Sequence, residues 1–162
     1  MGYPRAFLSV DNFKLAFTRV VRGANKEYKA YYRHLFPSYD LGLEENLKDL
    51  IGDIRRGRYC ASHGVVVHQP KKSGILRPLT LLSFQDLIVY QALMNYIAAK
   101  FEKDQSVHAL KRSFGAIFSG KSSPFFYRSW KVCYREYNEA LTRAYKAGNR
   151  HVADFDLSLI HI

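Results

Sequence analysis

Two groups of side chains in this sequence have the types and spacing to do chemistry. The first is in Asn149-Arg150-His151-Val152-Ala153-Asp154-Phe155-Asp156-Leu157, which reads as a short strand. Alternate strand residues share a face, so Asp154 and Asp156 lie side by side. Neighbouring carboxylates repel unless a cation sits between them or one takes a proton. Hard oxygen ligands of this kind suit Mg²⁺; the same pair also suits a solvated strand end. The second group is Lys71, Lys72 and Arg77, in Gln69-Pro-Lys-Lys-Ser-Gly-Ile-Leu-Arg-Pro-Leu-Thr-Leu-Leu82. A lysine offers a compact charge and an arginine a planar fork for two phosphate oxygens, so the cluster suits a phosphate group. It equally suits a solvated hairpin that carries cations.

The elements that must position these groups follow from pattern. Val65, Val66 and Val67 are β-branched, Ser73-Gly74 supplies turn chemistry, and Ile75, Leu79 and Leu81 return, which predicts a β-hairpin. Ser83 with Asp86 three residues on predicts a capped helix running to about Phe101, with Leu87, Tyr90, Met94, Ile97 and Phe101 as its buried stripe. Asp86, Gln91 and Asn95 are polar positions on that helix, either at the edge of the core or facing a template strand. Upstream, Asp11 caps a helix whose face is Phe13, Ala16, Phe17, Val20 and Val21, ending at Gly23; Arg19 and Arg22 are read as off that face. A second stretch, Asn25 to Leu35, is stopped by Pro37. Leu43, Leu47, Leu50, Ile51 and Ile54 make an amphipathic stripe closed by Gly57, and Arg55, Arg56 and Arg58 gather where the helix dipole favours cations. Lys103 to Lys121 reads as irregular. Ser123 and Pro124 start a last helix, whose stripe Phe126, Trp130, Tyr134, Tyr137, Leu141 and Tyr145 is expected in the core, up to Gly148.

Composition narrows the class. A chain of 162 residues with 48% hydrophobic content can build a core, which argues against global disorder. Its net charge of +11 makes a polyanion the natural partner, and 12 Tyr and 11 Phe supply rings on which bases can stack. Two cysteines, Cys60 and Cys133, give no disulfide framework and fit a reducing compartment. No signal peptide and no membrane span is legible, so a cytoplasmic location is expected. His63 and His68 have no acidic or Cys partner to complete a zinc set.

The order of these signals resembles the fingers and the start of the palm of a reverse transcriptase. The similarity begins at Gly57-Arg58-Tyr59. It continues through Pro70-Lys71-Lys72-Ser73-Gly74, Arg77-Pro78-Leu79 and Asp86-Leu87-Ile88-Val89-Tyr90-Gln91-Ala92-Leu93, and ends at Val152-Ala153-Asp154-Phe155-Asp156-Leu157. It covers roughly the last two thirds of the chain. Phe125-Phe126-Tyr127-Arg128-Ser129-Trp130 and the helix after it resemble the insert of bacterial unknown-group, or defence-associated, reverse transcriptases; retron and group II intron enzymes are more distant.

The resemblance implies an α+β, mainly helical fold: an N-terminal helical extension over residues 1–56, a fingers-like region over 57–148 and the start of a palm over 149–162. It implies an RNA-directed DNA polymerase working on an RNA template, a DNA primer and dNTP, with Mg²⁺ (or Mn²⁺) and no membrane. Asp156 is then the catalytic metal ligand, with Asp154 second. Lys71, Lys72 and Arg77 close on the triphosphate, and Gln91 and Arg58 touch nucleic acid. In such enzymes one metal activates the primer hydroxyl and the other steadies the leaving pyrophosphate. Ser158-Leu159-Ile160-His161-Ile162 departs from the family strand, which implies a tail foreign to the gene, and the second palm Asp pair is missing from the sequence. The expectation is an N-terminal portion with no polymerase activity of its own.

Overall fold

The computed structural model describes residues 3–23, 31–71, 73–151 and 153. It is an α+β chain, mainly helical, with one two-stranded antiparallel sheet among the described residues. The elements are α1 (Val10–Gly23), α2 (Leu35–Leu41), α3 (Leu43–Arg55), β1 (Val65–Pro70), β2 (Leu76–Leu81), α4 (Phe84–His108) and α5 (Trp130–Lys146).

The core forms where the apolar face of α1 meets α3 and α4. Phe13, Ala16 and Phe17 of α1 pack with Leu47, Leu50, Ile51 and Ile54 of α3 and with Phe84, Ile88 and Ala92 of α4. Both amphipathic stripes read from the sequence are therefore buried as expected, except that Val21 and Leu43 are half-buried. The helix start differs by two residues: the Ser9 hydroxyl accepts from the Asn12 N–H at 3.2 Å, so Ser9 and not Asp11 caps α1. Pro37 does not stop a helix either. It lies in the first turn of α2, where its missing N–H would have had no helical partner. The expected helix over 25–35 falls mostly outside the described residues.

Helix α3 ends as its sequence requires. The Arg58 N–H donates to the Asp53 carbonyl at 2.9 Å and the Gly57 N–H to the Ile54 carbonyl at 3.1 Å, with Gly57 at φ +68°. This reciprocal closure needs a left-handed residue, which a Cβ disfavours. Gly57→Ala is therefore expected to lower stability by about 1 kcal/mol, read as a lower urea midpoint with an unchanged slope.

The largest departure concerns α4. It runs on to His108, so the first part of the stretch read as irregular is helical. Its buried residues are Phe84, Asp86, Ile88, Ala92 and Asn95, not the expected stripe: Tyr90 and Phe101 are each 56% exposed, Ile97 is exposed, and Leu87 and Met94 are only half-buried. The helix has apolar residues on nearly every side, and its docking against α1 decides which of them is the inner face. Helix α5 also departs from expectation. It starts at Trp130 rather than near Pro124, and its aromatic stripe is not in the core. Residues 117–128 instead fold back on themselves. The Ser119 N–H donates to Phe126 O and the Arg128 N–H to Ile117 O, each at 2.9 Å, which uses the backbone groups a longer helix would have needed. At the other end the Asn149 N–H closes α5 on Ala144 O at 3.1 Å, and residues 149–151 form no strand.

Candidate nucleic-acid interface

The hairpin forms in the register its sequence predicts, from Val65 opposite Leu81 to Pro70 opposite Leu76. Its turn closes through the Lys71 N–H on Ile75 O and the Gly74 N–H on Lys71 O, each at 2.9 Å, with Gly74 at φ +82°. Lys71 and Arg77 are both exposed. Arg77 faces Gln69 across the ladder, so it shares a face with Val67, Leu79 and Leu81. On β2 that face becomes buried towards the base, where Leu81 is inside while Val65 opposite it stays exposed. The hairpin thus has a rooted base and a cationic far end. Lys72 lies outside the described residues, as do Asp154 and Asp156.

Strand β2 passes into α4 through Leu82-Ser83 alone. This short link brings the hairpin base and α4 around one groove of about 650 Å³. Thr80 and Leu82 form one wall, Tyr90 and Gln91 the next, and Phe126 and Tyr127 close it from the folded-back segment. The walls are largely apolar rings and stems with a few polar groups, a surface on which bases can lie.

Gln91 is held in place. Its amide N–H₂ donates to Asn95 Oδ1 at 2.8 Å. The same oxygen accepts from Arg19 Nη1 at 2.7 Å, and Asn95 Nδ2 donates to Asn12 Oδ1 at 3.1 Å. Arg19 is the residue that the sequence reading misplaced. It is 2% exposed, and burial lowers its pKa. Its Nη2 donates to Gly120 O at 2.7 Å and its Nε to Ser123 O at 3.0 Å, while its guanidinium lies 5.4 Å from the rings of Phe118 and Phe126. This buried cation ties α1 to α4 and to the segment that closes the groove. Nothing local in the sequence distinguishes it from Arg22, which is exposed.

Arg58 and Gln91 were expected to touch the same ligand, but they line different places. Arg58 Nη2 donates to Asp53 Oδ1 at 2.5 Å, beside a smaller polar cavity of about 350 Å³ that also holds Tyr59 and Asp86. Asp86 organises that cavity. It accepts from the Tyr59 hydroxyl, from the Ser83 hydroxyl at 2.6 Å and from the Ser62 N–H at 3.0 Å. Ser83 Oγ in turn accepts from the Asp86 N–H at 3.2 Å, which confirms the expected cap. Burial raises the pKa of Asp86, but these hydrogen bonds outweigh it and leave the carboxyl below its ordinary range. Burial, and then the bond to Asp86, push the Tyr59 phenol upward, so it remains a donor. In the same cavity the Tyr39 phenol is pushed up to about 12 by burial and then by Asp49.

Among the described residues no three His, Cys, Asp or Glu side chains come together to hold a metal ion. Cys60 is exposed and Cys133 buried, both free. Among the described residues no helix is long and apolar enough to cross a membrane. No family model matches the chain, and no curated protein or solved structure matches it.

Proposed function

We propose that this chain carries the fingers and the first palm strand of a reverse transcriptase of the bacterial defence-associated kind, acting in the cytoplasm on RNA template, DNA primer and dNTP. The observation that carries this reading is one of order and connection. A hairpin with Lys71 and Arg77 at its outer end feeds directly into a Ser83-capped helix, and Gln91 of that helix lines a groove with the hairpin base. The run Val152-Ala153-Asp154-Phe155-Asp156-Leu157 follows downstream.

In this reading Lys71, Lys72 and Arg77 neutralise the triphosphate, Arg77 through its fork. Gln91 meets the template from a position set by Asn95. Arg58 reaches a phosphate by exchanging Asp53 for it. Asp156, with Asp154, would hold Mg²⁺ (or Mn²⁺), which supplies charge neutralisation at the reacting phosphate.

The test is binding of a primer–template duplex by the purified chain, with and without Mg²⁺ and the dNTP that pairs with the next template base. The reading expects tighter retention with the matched dNTP. It also expects that Lys71→Ala with Arg77→Ala removes that gain, about tenfold, while leaving duplex binding without dNTP within a few-fold. Retention that depends on salt and not on dNTP would replace this reading by a non-catalytic basic nucleic-acid module, which the net charge of +11 favours. No binding at low salt would overturn both. With one Asp pair in the sequence, the purified chain is expected not to incorporate nucleotides; steady incorporation would contradict that.

A further inference from the structure

Helix α5 presents to solvent a stripe that its sequence would suggest is core. Trp130 is 71% exposed, Tyr145 62% and Tyr134 59%, with Tyr137 and Leu141 also exposed. At helical spacing these five fall on one face. The face that turns inward is another one, marked by Cys133. Lys131, Arg135 and Lys146 run along one edge of the stripe by the same geometry, and all three are exposed. Glu139 and Glu136, the acidic residues of α5, lie behind that edge, within 3.6 to 3.8 Å of Arg135. Just beyond the helix the Arg150 guanidinium sits 4.3 Å from the Tyr145 ring.

We propose that this face of α5 is a second nucleic-acid surface, a stacking platform for single-stranded RNA or DNA separate from the hairpin and its groove. Its composition selects the occupant. Four of the five stripe residues are aromatic and three carry hydroxyls, unlike the aliphatic seam of a coiled coil, and the exposed cations beside them favour a polyanion. A row of cations beside a row of rings fits a strand with its phosphates on one side and its bases on the other, and stacking on rings tolerates any base. The spacing also fits: four helical residues advance about 6 Å, close to the reach of one nucleotide step in an extended strand. The proposal does not depend on the polymerase reading.

Trp130 is the sole tryptophan, so it reports directly. The experiment titrates the chain with oligothymidylate, oligouridylate and a duplex of equal length, following both Trp130 emission and anisotropy of a labelled strand. The expected result is quenching of Trp130 by both single strands, little by duplex, and a steep loss of affinity with salt. Tyr134→Leu with Tyr145→Leu keeps an apolar helix face and should weaken single-strand binding about tenfold with unchanged circular dichroism. Lys71→Ala with Arg77→Ala should leave the quenching intact, which separates this surface from the hairpin. Single-strand binding without a change in Trp130 emission would overturn the proposal. So would unchanged affinity in the leucine variant, or a concentration-dependent dimer whose formation alone quenches Trp130. If the leucine variant loses helicity, Lys131→Gln with Lys146→Gln decides: a shallower salt dependence sustains the platform, and an unchanged one removes it.

Discussion

Replacing Arg19 by Met is expected to destabilise the chain by about 3 kcal/mol or more, seen as a large drop in the urea midpoint. The side chain is 2% exposed and fills its site with a guanidinium that serves acceptors on two segments, Asn95 of α4 and Gly120 and Ser123 of the fold-back. Met approximates its volume but donates nothing. The carbonyls of Gly120 and Ser123 and the amide oxygen of Asn95 then lose donors in surroundings that water enters poorly, and each such loss costs about 1–3 kcal/mol. Arg19→Lys should recover only part of this. A lysine keeps the charge but cannot span Asn95, Gly120 and Ser123 with a planar fork. Because the segment that closes the groove hangs on this residue, both variants should also expose Phe126 and loosen Gln91. If the proposed function holds, weaker nucleic-acid binding by Arg19→Lys under conditions where it remains folded is the corresponding readout. Near-wild-type stability of Arg19→Met would show that the segment is held by its ring contacts alone.

Asp86→Ala is expected to cost about 2–3 kcal/mol, through lost capping of α4 and through the donors of Tyr59 and Ser62 that it leaves without their acceptor. The pH dependence has a definite sign. The folded carboxyl titrates below its unfolded value, so its contribution is complete above the unfolded pKa, near 3.9, and is lost as pH falls through the folded one. The wild type should therefore lose stability on the acid side below roughly pH 4, and Asp86→Asn should lose less over the same range while starting from a lower value. Urea midpoints across that range measure both. Parallel acid limbs for the two proteins would assign the loss to other carboxylates.

Local chemistry was enough to place much of this molecule. The β-branched run, Ser73-Gly74 and the alternation after it describe a hairpin because turn and pleat are short-range properties. The same holds for the stripe of α3 with its Gly57 closure and for the Ser83 cap, where the interacting atoms lie within a few residues of one another. The places of Lys71 and Arg77 beside the turn and of Gln91 on α4 follow for the same reason, although local pattern does not say what surrounds them.

What the sequence could not decide is which apolar surface finds a partner. Helix α4 carries apolar residues on nearly every side, so periodicity picked the wrong one, the stripe of Leu87, Tyr90, Met94, Ile97 and Phe101; α1 packs instead on the face of Phe84, Ile88 and Ala92. Helix α5 has as clean an aromatic stripe as any core helix, yet among the described residues that stripe faces solvent and the helix buries Cys133 on another side. Arg19 has the opposite history. A cation beside a buried stripe reads as surface until residues about a hundred positions away supply the carbonyls that make its burial tolerable. Periodicity belongs to one helix, whereas burial belongs to a pair of surfaces. Only the folded chain brings the second surface into place.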